Sequence, residues 1–333
     1  VSPQRIGEPE PLLRRAVLTG IGGYLPENIV SNDDLSRRVD TSDAWITERT
    51  GIRQRHFAAP HETAAFMGAA AAREALAAAN LQAGSVDAII LGTSTPDQAF
   101  PATAVHVQAA IGATRAFGFD ISAACSGFIY GLSVADAMIR AGQVNNVLVI
   151  GSEVYSRILN FSDRGTCVLF GDGAGAALLQ AEDVTRDGRG ILSTHLHSNG
   201  ALADILYVDG AVGQPDKSGH LVMNGREVFR HAVNLLSSAV SEALSANDLA
   251  PKDIDWLVPH QANRRIIDGV GKKLGLPPER VIVTVDQHAN TSAASIPLAL
   301  WQGLRENRIK LGQLILLEAL GGGLTWGSAL LRL

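Results

Sequence analysis

The sequence predicts an α/β protein built from two homologous halves, and three observations carry that reading. Short β-branched and aliphatic runs alternate with Ala-rich stretches from end to end. Aromatic residues make up only 5% of the chain while aliphatics and glycine abound, as buried sheets covered by close-packed helices require. Above all, the chain repeats itself in order at an offset of roughly 165 residues.

Residues 1–15, with Pro3, Pro9, Pro11 and mixed charge, lack the periodicity of a packed element and read as a flexible N-terminal arm. The first half, 16–185, places a helix ending near residue 81 ahead of a strand over 86–92. Cys125 then opens a helix that leads to a strand over 147–150, and the glycine string 171–175 runs on to Leu179. The second half, 186–333, answers each in turn: a helix ending near 249, a strand over 254–260, a helix opened by Asn290, a strand over 314–317, and the stretch from Gly323 to Leu331. Chance matches of aliphatic strands are easy, but four in order at one offset are not. If the halves pack about a pseudo-twofold axis, Cys125 and Asn290 occupy matching helix starts, and His260 ends the strand that matches the one ending at Gly92. Ligands gather outside such strand ends, so one cleft can hold all three residues.

At 333 residues the chain buries a sizeable core without staples. Its formal net charge of -5 argues against nucleic acid as a partner, because phosphate neutralisation calls for a basic surface. No apolar run approaches the ~18 to 20 residues that span a bilayer, so no membrane partner is expected. Cys125 and Cys167 are no disulfide framework, and the first residues lack the apolar stretch of a secretory signal; the expected compartment is the cytoplasm.

The chemistry centres on Cys125, in Ser122-Ala-Ala-Cys125-Ser126-Gly127-Phe128. A lone cysteine is more often a small buried hydrophobe than a nucleophile. Here, however, it stands at a helix start, where unpaired N–H groups and partial positive charge favour thiolate and offer donors to an oxyanion. His260 adds an imidazole that donates or accepts, and Asn290 an amide that donates but does not titrate. This set suits an acyl-thioester intermediate, with the two side chains stabilising an enolate oxygen. The Cys125 N–H and a glycine of the 321–323 triplet would form the oxyanion hole.

At this point the sequence resembles the beta-ketoacyl-acyl-carrier-protein synthase III family of condensing enzymes, from about Ala16 to the end of the chain. The signatures are Asp40-Thr41-Ser42-Asp43-Ala44-Trp45-Ile46, Arg49-Thr50-Gly51-Ile52-Arg53, Cys125, Asp163-Arg164-Gly165-Thr166, Phe170-Gly-Asp172-Gly-Ala-Gly175, Val258-Pro-His260-Gln261-Ala262-Asn263, and Asn290-Thr-Ser-Ala-Ala. Each is weak alone; the ordered set is specific. The resemblance implies a thiolase-like fold, the two duplicated halves forming a five-layered αβαβα sandwich. It also implies a two-stage acyltransferase reaction that initiates type II fatty acid synthesis. Cys125 takes a short acyl group from acetyl-CoA or another short acyl-CoA. Malonyl-acyl carrier protein then loses carbon dioxide with support from His260 and Asn290, and its carbanion attacks the acyl-cysteine to give a 3-oxoacyl product.

By the same resemblance Gly322 shares the oxyanion hole with Cys125, and Trp45 and Arg164 hold the adenine of coenzyme A between them. Thr41, Arg49, Gly225 and Asn263 match other walls of that tunnel. Acyl-CoA is thus a substrate, and no permanently bound cofactor or metal is expected. Arg264, Arg265, Lys272 and Lys273 lie on an amphipathic helix that would dock the acidic carrier protein, joined by Arg230 and Gln261. Phe100 matches a residue that family homodimers insert into the neighbour's acyl pocket. Leu320 and Leu324 flank the glycine triplet where phenylalanines are frequent, which touches acyl-chain preference. Two further departures are Ala289, where glycine often precedes the asparagine, and Ser126, where alanine is common after the nucleophile.

Other features have blander readings. Cys167 reads as part of a core strand, and His195 and His197 share a strand face without a third metal ligand spaced to help. His288 is expected to be a local hydrogen-bonder, and the 171–175 glycines to serve close packing between the halves. The rival function is acyl transfer to another nucleophile, or condensation in a secondary-metabolite pathway, by the same three side chains.

Overall fold

The computed structural model describes residues 12–210 and 216–333. Its first sheet takes all its strands from the first half, in the order β1-β7-β6-β4-β5. These are β1 (Leu13–Tyr24), β4 (Ala88–Gly92), β5 (Phe117–Ile121), β6 (Asn146–Glu153) and β7 (Gly173–Val184). The second sheet runs β11-β12-β13-β8, from β8 (Gly190–Ser198), β11 (Trp256–Pro259), β12 (Leu314–Gly321) and β13 (Thr325–Arg332). In each, a parallel core (β4 with β5 and β6; β11 with β12) is extended by antiparallel strands. The second sheet's counterpart of β5 is reduced to one bridge, Leu257 to Val281. Two short hairpin-like pairs, β2 (Ile29–Ser31) with β3 (Gln54–His56) and β9 (Leu206–Val208) with β10 (Leu221–Met223), lie outside both sheets.

The helices fill three layers. Helices α3 (Ala64–Ala78) and α4 (Thr103–Ile111) cover one face of the first sheet, with Ala69, Ala72, Val107 and Ile150 in their shared core. The alanine run of α3 permits this approach. Helices α5 (Gly127–Arg140) and α9 (Ser295–Arg305) lie between the sheets, packing Phe128, Leu132, Ile296 and Leu300 against Val149 and Leu317. Helices α6 (Gly225–Ala246) and α7 (Arg264–Leu274) close the second sheet, burying Leu236, Val240, Ile267 and Val270 on Leu316 and Leu320. The order helix, sheet, helix, sheet, helix is the expected five-layered sandwich. The short helices α1 (Asn32–Ser36), α2 (Asp43–Thr50) and α8 (Val285–His288) join the same core as α6 and α7 through Leu35, Ile46 and Val285.

Two expectations shift. Of the expected arm, residues 1–11 lie outside the described residues, while Leu13, Arg14 and Arg15 already belong to β1, opposite Val184, Asp183 and Glu182. Arg14 fastens this end by donating from Nε to the Ile139 carbonyl at 2.8 Å. The repeat is also more regular than it reads along the chain. Ala88 and Trp256, Gly127 and Ser295, and Asn146 and Leu314, the first residues of matching elements, all stand the same interval apart. So do the 3₁₀ turns Ala124–Ser126 and Ser292–Ala294 that lead into α5 and α9. At that interval Cys125 matches Ala293, and Asn290 matches Ser122. Asn290 therefore lies just ahead of its turn rather than at the helix start itself.

Candidate active site

Cys125 sits in its 3₁₀ turn at the end of β5, at the head of α5. Ala124, just before it, is held at φ 45°, which swings the cysteine into the space between the two halves. The turn is tied to the second half from both sides: Ser126 Oγ donates to Thr325 O at 3.0 Å, and Thr325 Oγ1 donates back to Ala123 O at 2.9 Å. Ser126, an unusual residue in sequence terms, thus acts as a strut. The glycine triplet comes as close as backbone can. A Cβ on Gly321 would lie 2.6 Å from the Cys125 nitrogen, and one on Gly322 2.7 Å from the Leu206 carbonyl oxygen.

His260 follows β11, its backbone N–H donating to Glu318 O at 2.8 Å. It is buried, its Nδ1 has no partner, and burial pulls its pKa down to about 3, so the ring is neutral at pH 7. Asn290 is stitched to the first half: its N–H donates to Leu169 O at 2.9 Å, and its carbonyl accepts from Gly171 N at 3.0 Å. Its side-chain oxygen accepts from Ser292 N at 2.8 Å, which leaves the amide N–H groups to face the cavity.

Cys125, His260, Asn290 and Gly322 line a single cavity of about 710 Å³. The turn geometry does not make Cys125 a resting thiolate, as the helix start alone suggested. Burial, together with the charge of Glu153, pushes the thiol up to about 12, although Ser292 works against that rise. Desolvation outweighs the helix terminus here.

Trp45, Arg49, Gly225 and Asn263 line the same cavity. Arg49 and Arg164 place their guanidinium carbons 4.7 and 5.2 Å from the Trp45 ring centre, the latter also donating to Asp40 O at 2.9 Å. Thr41 and Arg164 are not themselves wall residues, whereas Gly165 beside Arg164 is. Asn263 caps α7, accepting from Ile266 N at 3.0 Å. Of the acyl-pocket set, Leu320 lines the cavity. Leu324 instead packs into the core with no exposure, and Phe100 stands 83% exposed on the surface.

The basic set divides. Arg230, Arg264, Arg265, Lys272 and Lys273 are exposed, and Arg265 lies 5.4 Å over Phe229, a residue of the cavity wall. Arg264 is held by Asp268 at 2.8 Å, Arg230 by Glu227 at 2.5 Å and Lys273 by Asn234 at 2.8 Å. Gln261 cannot join a docking surface. It is buried, donates to the Pro259 and Ile282 carbonyls, and accepts from Thr284 N and Val285 N, so its amide is spent on holding the loop after β11.

Elsewhere, Cys167 is fully buried but in a turn, not a strand, and His195 and His197 both bond Glu242 of α6, at 3.3 and 2.6 Å. His288 is buried against His56 with Nδ1 unpartnered, away from the cavity wall, so it is no hydrogen-bonding aid to the site. The 171–175 glycines do pack between halves, Gly175 against Pro297 and Leu298 of α9. Residues that the sequence left unremarked also reach the site: Ser94 and Tyr155 on its wall, Glu153 behind them, and Leu206, Tyr207 and Phe229 at its outer side. No spacing rule joins these; only Glu153, an acid at the buried end of β6, signals a special position.

A family model described as 3-oxoacyl-[acyl-carrier-protein (ACP)] synthase III matches residues 119–200, and one for the C-terminal part of the same family matches 244–333. The chain is 71% identical over 320 residues to beta-ketoacyl-[acyl-carrier-protein] synthase III of Acidiphilium cryptum, covering 96% of this chain and 100% of that one. It is 64% identical over 322 residues to the protein of that name from Granulibacter bethesdensis, with 96% and 100% covered. The crystal structure of 3-oxoacyl-[acyl-carrier-protein] synthase III from Aquifex aeolicus superposes with a TM-score of 0.90 at 46% identity, covering 96% and 100%. With near-complete coverage on both sides, the chain belongs to the beta-ketoacyl-[acyl-carrier-protein] synthase III family.

Proposed function

We propose that this protein condenses a short acyl group, acetyl foremost, from acyl-CoA with malonyl-acyl carrier protein, releasing CoA and CO2 and forming 3-oxoacyl-carrier protein at the start of fatty acid synthesis. The observation that supports this reading is the convergence of Cys125, His260, Asn290 and Gly322 on one cavity that also reaches Trp45 and Arg49. Cys125 Sγ attacks the thioester carbonyl, and the N–H groups of Cys125 and Gly322 stabilise the oxyanion, each donor contributing about 3 kcal/mol. On the acyl-enzyme, neutral His260 and the Asn290 amide donate to the oxygen of the enolate that forms as malonyl loses CO2, and the carbanion then attacks the acyl-cysteine. Because burial keeps His260 uncharged, it serves as a hydrogen-bond donor rather than as a cation.

Trp45 and Arg164 would clasp the adenine. Arg164 lies over Trp45, and its half-exposed side chain leaves it free to swing outward and admit the base. Arg265, exposed beside Phe229, leads the basic face of α7 as the dock for the acidic carrier protein. Phe100, exposed on the 96–101 loop, would enter the partner's acyl pocket in a homodimer acting in the cytoplasm.

Mass spectrometry after incubation with acetyl-CoA, then with malonyl-carrier protein, tests the whole reading. The Cys125 peptide gains an acetyl mass that the carrier substrate discharges as a 3-oxoacyl product; absence of any acyl adduct with short acyl-CoAs overturns it. His260→Ala spares acylation more than decarboxylation, and the reverse pattern refutes the assigned roles. Arg265→Glu weakens turnover with the carrier-bound substrate alone; unchanged turnover refutes the dock.

A further inference from the structure

Arg55, on β3, is a cation with no exposure to solvent. Burial pulls its pKa down to about 10, still far above neutrality, so the guanidinium keeps its charge. Among the described residues it forms no ion pair, and its Nε has no partner. Its two terminal nitrogens serve three separate segments instead. Nη1 donates to Val30 O of β2 at 3.2 Å and to Oδ1 of Asn32, the first residue of α1, at 2.8 Å, while Nη2 donates to Val168 O at 3.0 Å. Burying a charge without an anion beside it is costly, so what those partners hold decides what Arg55 is for.

One arm runs through Asn32, itself 1% exposed. Its Nδ2 donates to Asp43 Oδ1 and to Ile52 O, both at 2.8 Å. Asp43 begins α2 and Ile52 follows its C-cap, Gly51, so one amide group grips that helix at both ends. Helix α2 carries Trp45 and Arg49 to the cavity wall. The other arm is direct: Val168 belongs to the turn over 163–169 that also carries Arg164 and Gly165, and it lines the cavity itself. Arg55 thus stands between the two segments whose side chains meet where the Arg164 guanidinium lies 5.2 Å from the Trp45 ring centre. A planar fork reaches Asn32 and Val168 with separate nitrogens at a fixed spacing, which a single ammonium group does not do.

Resting on the reading of Trp45 and Arg164 as the clasp for the adenine of acyl-CoA, we infer that Arg55 is a positioning residue for that substrate. Through Asn32 it fixes α2, through the Val168 carbonyl it fixes the 163–169 turn, and so it sets the gap that the base enters. Arg55 is not on the cavity wall and touches no substrate. Its influence falls on the nucleotide end of the tunnel. The reacting end hangs on other ties: Ser126 and Thr325 hold the Cys125 turn, and the main chains of Leu169 and Gly171 hold Asn290 at 2.9 and 3.0 Å. A thioester without a nucleotide therefore does not depend on Arg55.

The test compares the wild-type enzyme with Arg55→Lys, Asp43→Ala, Trp45→Ala and the Arg55→Lys/Trp45→Ala double variant. Acylation is measured from acetyl-CoA and from acetyl-pantetheine, which lacks the nucleotide. Arg55→Lys keeps the charge and loses the fork; it should raise KM for acetyl-CoA about tenfold, the scale of one lost hydrogen bond to a charged group, and leave kcat within about twofold. With acetyl-pantetheine, kcat/KM should stay within about twofold of wild type. Asp43→Ala, at an exposed position, removes the acceptor at the head of α2 and should raise KM for acetyl-CoA alone by about threefold. Once Trp45 is gone the gap has no function, so the double variant should bind acetyl-CoA no worse than Trp45→Ala. An unchanged KM in Arg55→Lys overturns the inference. So does an equal loss with both thioesters, which would make Arg55 a general prop of the tunnel, or a double variant in which the two losses multiply. Should Arg55→Lys fail to fold, Asp43→Ala, with its own double variant on Trp45→Ala, decides by the same criteria. If Trp45→Ala itself leaves KM for acetyl-CoA unchanged, it is the clasp reading that fails, and the inference with it.

Discussion

Glu318 offers a sharp test of how this core handles a buried charge. It shares the face of β12 with Leu316 and Leu320, which pack in the layer under α6 and α7, and it is 1% exposed with Oε2 unpartnered. Burial pushes its pKa up to about 8. The unfolded chain releases the same proton near 4.3. Between those values the native state holds a proton that the unfolded state has lost, so the contribution of Glu318 is fully present below about 4.3 and falls away as pH rises toward 8. Each pH unit inside the window is worth about 1.4 kcal/mol. Glu318→Gln keeps the shape and cannot titrate, so its stability relative to wild type should rise by about 2.7 kcal/mol between pH 5.5 and 7.5. Taking the difference between variant and wild type cancels other titrations. Chief among these are His260 and His288, pulled down to about 3 and 4, which destabilise in the opposite direction as pH falls below 6.5. Urea unfolding at the two pH values, read as midpoint and slope, measures the quantity. Parallel curves, with the difference changing by less than about 0.5 kcal/mol, would instead show that Glu318 is ionised and solvated in the native protein.

Three substitutions probe the site's scaffold. Gly322→Ala brings a methyl to 2.7 Å from the Leu206 carbonyl oxygen, so the glycine loop proposed to form the oxyanion hole must shift; steady-state assays should show kcat at least about tenfold lower with KM for acyl-CoA nearly unchanged. Thr325→Val removes the donor shared by Ala123 O at 2.9 Å and Gly322 O at 3.2 Å. The expected loss is about 1 to 3 kcal/mol in urea unfolding, with slower acylation besides. Trp45→Ala should raise KM for acyl-CoA about tenfold and spare the rate from saturating substrate; an unchanged KM would remove Trp45 from the binding wall.

Much of the architecture was legible because it rests on local periodicity and on duplication. The 3.6-residue pattern of the α7 stretch and the aliphatic runs of β6 and β12 announce their own elements. Repetition of the order in the second half announces the partner sheet. The departures at Ala289 and Ser126 acquire meaning only in space. Ala289 lies at φ 57° and ψ -160°, a region glycine fills without cost, and Ser126 is the strut to Thr325. Gln261 misled for a related reason: it sits within a motif of ligand-facing neighbours, yet its side chain turns inward to four backbone partners.

The layered α/β plan, and the choice of Cys125, His260, Asn290 and Trp45 as residues that meet at one cavity, came from the chain alone, because each is written in a contiguous pattern or an ordered set of motifs. Tertiary structure decided how those groups behave. Whether Cys125 rests as thiol or thiolate depends on how much water the two halves exclude and on Glu153 from a distant strand. Whether His260 is charged depends on the same exclusion. Desolvation and the approach of groups far apart in the chain are properties of packing, and no local pattern encodes them.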